Sequence, residues 1–93
     1  MPEVSLQQAL QQFLQNSRLK QQVQAMQIKD LWEELMGKTI ATYTDDIQLI
    51  QNKLIITTHM APLKQELLYQ REKIKNRLNE MLNEYAVHEV VIK

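Results

Sequence analysis

The chain contains no cysteine. That excludes a disulfide framework and a thiolate metal site, and it fits a reducing compartment. One Gly and two Pro in 93 residues exclude a turn-rich architecture and point to long regular elements. A single glycine also leaves no glycine-rich phosphate loop and no GXXG loop of the kind that grips a nucleotide backbone. Eleven basic residues balance eleven acidic ones, so any attraction to nucleic acid must come from a local patch. No apolar run approaches the roughly 20 residues that span a bilayer. The opening MPEVSLQQALQQFLQNS has neither the basic start nor the apolar core of a signal peptide. The expectation is a soluble cytoplasmic protein with no membrane partner.

Catalytic groups are scarce too. His59 and His88 stand beside no nucleophile in the pattern. Asp45-Asp46 reads as a solvated turn before a strand rather than as a metal pair. We expect no catalytic residue, no metal, no cofactor and no enzymatic activity.

What is present is periodic. Ser5-Leu6-Gln7-Gln8 has the form of a capping box. Leu6, Ala9, Leu10, Phe13 and Leu14 then share one helical face, which predicts a helix over about Ser5 to Gln15. Leu19, Val23 and Met26 form a second short stripe. The apolar phase slips after it, and the slip predicts a break near Met26-Gln27.

A third stripe, Ile28, Leu31, Trp32, Leu35, Met36, Ile40 and Tyr43, keeps helical spacing on both sides of Gly37. That favours a helix running through Gly37, with the glycine admitting another backbone. The alternative is a glycine C-cap followed by a second short helix. Trp32 is expected in the core.

Beyond Asp46 the period becomes two. A two-residue turn at Gln51-Asn52 pairs Leu49 with Leu54 and Ile47 with Ile56, placing four large apolar residues on one face. Asn52 tolerates the positive φ such a turn requires. Pro62 suits a first helical turn. Leu63, Leu67, Ile74, Leu78 and Met81 extend that helix to about Glu84. Val87, Val90, Val91 and Ile92 predict a last strand, parallel to Lys53–His59 because strand–helix–strand crossovers return that way. The expected fold is a single α+β domain over 1–93 with a three-stranded sheet packed on helices, in the order α-α-β-β-α-β.

Trp32-Glu33-Glu34-Leu35-Met36-Gly37, with Ile40-Ala41 and Thr44, resembles the W-x-x-V-V-G-x-x-I-A-x-x-T signature of the DciA family. The hairpin Ile47–Thr58 follows in register. Gln65-Glu66-Leu67 resembles that family's Q/N-E-L, Arg77-Leu78-Asn79 its R-L-N, and Glu89-Val90-Val91-Ile92 its closing strand. Glu66 to Glu72 is similar to the short, tail-less members of Bacteroidetes type. Leu35-Met36 replaces Val-Val, and Leu63 replaces a frequent aromatic; both swaps keep apolar character.

The resemblance implies a KH-like core over 28–93 beneath an N-terminal helical layer over 1–27, with Trp32 and Gly37 as structural signature. It also implies an accessory protein of bacterial DNA replication, nucleoid-associated in the cytoplasm. Such a protein engages the replicative helicase and binds single-stranded or structured DNA weakly. Longer members carry a disordered extension, which puts full loading by a chain ending at its last strand in question.

Two surfaces are candidates. Lys64, Arg71 and Lys75, at spacings of seven and four beside the apolar stripe, suit successive phosphates. A solvated helix face is the competing reading, because no aromatic residues interleave to stack bases. Ile50, Ile55 and Leu68 are apolar residues outside the expected core and mark a partner interface, or else singly exposed residues without meaning. A structural or homo-oligomerising module without nucleic-acid binding is the alternative function, and the Gln-rich helices are compatible with it.

Overall fold

A computed structural model describes Leu6, Gln8, Ala9, Gln11 and residues 17–93. Those four N-terminal residues are helical and exposed, while the rest of the expected Ser5–Gln15 helix and its capping box lie outside the described residues.

The first long element is α1, Ser17–Met36. It runs without a break, so the interruption expected near Met26-Gln27 is absent. The phase slip has another cause, because two stripes on one helix meet two environments. Gln24, Ile28 and Trp32, four apart, are buried, whereas Leu19, Val23 and Met26 remain exposed on a neighbouring face. The buried stripe contains a glutamine, which hid its start from an apolar count.

The helix does not run through Gly37. Its N–H still bonds the Glu33 carbonyl at 2.8 Å, but its φ of 90° and ψ of 162° lie in a region essentially confined to glycine. A short α2, Lys38–Thr42, starts immediately after it. A Cβ at Gly37 would meet nothing within 4 Å. Backbone conformation, not close approach by another element, is what requires glycine here.

Strands β1, Asp46–Ile50, and β2, Lys53–Thr57, pair antiparallel with Leu49 opposite Leu54 and Ile47 opposite Ile56. The turn residues Gln51 and Asn52 have φ of 50° and 65°, as the two-residue hairpin demands. β3, Glu89–Ile92, runs parallel to β2, giving the order β1-β2-β3.

The segment expected as one helix from Pro62 to Glu84 is two. α3, Ala61–Tyr69, and α4, Arg71–Leu82, meet at Gln70, whose N–H tightens onto the Leu67 carbonyl at 3.1 Å. α4 ends in a Schellman arrangement. Asn83 is left-handed at φ 55°, its N–H reaches the Glu80 carbonyl, and the Glu84 N–H reaches that of Asn79.

One face of the sheet is buried. Ile47, Leu49, Leu54, Ile56 and Val90 pack with Ile28 and Trp32 of α1, Leu67 of α3, and Ile74 and Leu78 of α4. The strand residues of the opposite face, including Gln48, Ile50, Lys53 and Ile55, are exposed or half-buried.

Candidate partner and nucleic-acid surfaces

The sequence signature around Gly37 is a scaffold. The buried Trp32 indole donates to Thr44 Oγ1 at 3.0 Å, and that hydroxyl donates to the Ile40 carbonyl at 2.7 Å. Trp32 and Thr44 thus close a bracket around the backbone break. Thr58 extends it, donating to the Tyr43 carbonyl at 2.6 Å and accepting the Met60 N–H at 3.2 Å. Trp32 lies in the core, as expected.

Asn79 stands four positions after Lys75 on the same helix. In the fold its amide clamps the segment before β3. Oδ1 accepts the Ala86 and Val87 N–H groups at 3.0 and 2.8 Å, and Nδ2 donates to the Val87 carbonyl at 2.9 Å. Asn52 holds the same segment from the hairpin, donating to the Ala86 carbonyl at 2.9 Å. The role of Asn79 was not legible, because its partners are backbone groups of a loop without a pattern.

The three candidate cations divide across the bend at Gln70. Lys64 is half-buried on α3, whereas Arg71 and Lys75 stand one turn apart on α4. Arg71 Nε donates to the Leu68 carbonyl at 3.2 Å. Lys75, its side chain 19% exposed, pairs with Glu72 at 3.1 Å.

Leu68, one of the candidate interface residues, therefore sits beside Arg71. Both line a depression of about 330 Å³ at the α3–α4 junction, with Tyr69, Glu72, His88 and Val90. Leu68 is 39% and Tyr69 79% exposed. Tyr69 was not singled out from the sequence; the signal was an aromatic following an apolar residue at an outward helical position. Ile50 and Ile55 are elsewhere, on the outer sheet face, with Ile50 exposed and Ile55 half-buried.

Electrostatic pairs frame these surfaces. Asp45 receives the His59 ring at 2.9 Å, and this hydrogen bond holds its carboxyl below the ordinary range. Asp45 is thus a surface partner at the start of β1. Glu84 is likewise lowered, by Lys20 at 2.8 Å and by the buried Gln24. That group ties α1 to the end of α4. Among the described residues there is no metal-ligating cluster and no helix long and apolar enough to cross a membrane.

The fold and these surfaces define a small α+β module whose features are a cation-bearing helix junction and an open sheet face. A family model described as Dna[CI] antecedent, DciA, matches residues 5–92, and the chain belongs to the DciA family. That family is a non-enzymatic one related to helicase loading, which gives the chain an accessory role in DNA replication and implies contact with the replicative helicase. No curated protein and no solved structure matches the chain.

Proposed function

We propose that this chain engages the bacterial replicative helicase directly and binds single-stranded or structured DNA weakly, acting at the nucleoid in the cytoplasm as one KH-like domain over 1–93. The match to the DciA family across residues 5–92 carries this reading. Protein contact positions or opens the helicase ring while the cations keep the strand near. Leu68 and Arg71 meet at one depression, so an apolar anchor and a cation serve one surface. Lys64 and Lys75 add charge on either side of the bend, and Ile50 and Ile55 offer a second apolar contact on the sheet.

Capture of the host's replicative helicase by the tagged chain tests the partner. Retention of the helicase supports the reading, and a clean failure to retain it rejects it. For DNA, the Lys64→Ala/Arg71→Ala/Lys75→Ala variant is expected to lose single-strand binding at low salt. Undiminished binding by that variant removes these residues from the account.

A self-associating module is the second reading. The exposed Leu19, Val23 and Met26 on one face of α1 favour it. Light scattering across a concentration series decides: a dimer that Met26→Glu dissociates supports it, and a monomer throughout removes it.

A further inference from the structure

We infer that the edge of β1, together with the stretch of α1 from Arg18 to Lys29, is a binding groove for an extended acidic peptide segment that adds to the sheet as a fourth strand. The inference goes beyond helicase and DNA binding and rests on neither.

Hydrogen-bond parity establishes the open edge. Lys93 N–H bonds the Ile56 carbonyl at 2.8 Å, so even-numbered β2 residues face β3 and Lys53, Ile55 and Thr57 face β1. Their partners are Ile50, Gln48 and Asp46. Ile47 and Leu49 must then direct N–H and C=O away from the sheet. Gln51 continues that outward row, and its N–H is taken by Gln21 Oε1 of α1 at 2.7 Å. No described residue takes the outward groups of Ile47 or Leu49. An unpaired strand edge is a template for another strand, and folded proteins ordinarily shield it.

These groups open into a groove of about 840 Å³ between β1 and α1, within the range of roughly 300–1,000 Å³ typical of ligand clefts. Ala25 and Met26 supply an apolar wall, Met26 being 66% exposed. Arg18 and Lys29 also line the groove, and no carboxylate does among the described residues. Neither cation has an ion-pair partner among them.

Eleven positions separate Arg18 from Lys29. They therefore share one helical face about 16 Å apart, a span of about five residues of strand. The matching ligand is an extended segment with carboxylates four positions apart, an even spacing that keeps both on the face toward α1, and apolar side chains between them. Main-chain pairing would supply affinity, and the two charges would supply specificity and direction.

Charge argues against the two nearer occupants. A second copy placed edge to edge would gather four cations around one seam. The chain's own residues 1–16 carry a single acidic residue, Glu3, and a helical rather than strand-like apolar pattern.

The probe is a fluorescein-labelled eight-residue peptide with Glu at its second and sixth positions and Val, Thr and Ile elsewhere. Two controls accompany it: the same peptide with both Glu replaced by Lys, and one N-methylated at alternate backbone nitrogens. Fluorescence anisotropy with the full chain should show binding of the Glu peptide only. Amide hydrogen exchange should slow at Ile47 and Leu49 when it binds. Arg18→Glu/Lys29→Glu should weaken the Glu peptide by about tenfold or more and admit the Lys peptide, with an unchanged circular dichroism spectrum.

Absence of binding overturns the proposal, as does equal binding of the N-methylated peptide or binding without protection at Leu49. Protection that rises with protein concentration in the absence of peptide assigns the edge to a second copy and overturns it as well.

Discussion

Gly37→Ala separates two accounts of one position by the sign of its effect. In a continuous helix, alanine would stabilise by about 1 kcal/mol. At the observed φ of 90°, with open space around the missing Cβ, the same change should destabilise by roughly 1–3 kcal/mol through backbone strain alone. A urea titration of the two proteins reads the sign. Asn79→Ala removes three hydrogen bonds and leaves the N–H of the buried Val87 without an acceptor, whereas the Ala86 N–H keeps the Glu84 carbonyl. The expected loss is about 2–4 kcal/mol, measured by the same titration. A loss under about 0.5 kcal/mol would show that water replaces the amide at little cost. Trp32 was legible as core from its place on an apolar stripe. Its bond to Thr44 was not, because the connection crosses the backbone break at Gly37 and no periodicity links twelve positions across it.

Among the elements, the hairpin was legible to the register. Period-two alternation and a turn residue tolerant of positive φ leave one pairing that buries all four large apolar side chains. The bend at Gln70 was invisible, because Leu67 and Ile74 lie seven apart and keep the same face whether or not one turn tightens between them. The continuity of α1 was obscured by Gln24, a polar residue in a buried stripe, which exists to meet Glu84. That junction has a pH signature. The folded carboxyl of Glu84 lies below its ordinary 4.5 because Lys20 and Gln24 bond the charged form. Its contribution is complete above the unfolded value and is lost as pH falls below about 4.5 through the folded one. Thermal melts between pH 6 and pH 3 should therefore fall less steeply for Glu84→Gln than for the parent chain. Parallel curves would place the docking of α1 on α4 in apolar packing alone. Lys20 and Glu84 are each more than a third exposed, so added salt should also narrow the difference.

At the scale of the molecule, balanced charge makes DNA binding a local property. The logarithm of the single-strand binding constant should fall with the logarithm of salt at about −0.7 per phosphate contacted. Two or three cations thus give a slope of roughly −1.4 to −2.1, and Arg71→Ala should reduce it by about 0.7. A slope near zero would remove phosphate contact from the account. Leu68 beside Arg71 was legible from helical spacing, but the separation of Lys64 from Arg71 and Lys75 was not, since the straight-helix phase that aligned the three cations ends at Gln70. Family membership was legible, because the motifs Trp32 to Thr44, Gln65 to Leu67 and Arg77 to Asn79 keep their order. Two of those motifs are now explained as scaffold: Trp32, Gly37 and Thr44 bracket a helix break, and Asn79 clamps the approach to β3. The surfaces proposed for partner contact lie outside them. The most direct test of the central claim is sedimentation velocity of the purified chain with the replicative helicase of its own host. The account predicts a saturable complex in which the chain co-sediments with the helicase ring, weakened by Leu68→Glu/Arg71→Glu. Independent sedimentation of the two proteins at micromolar concentration would contradict it.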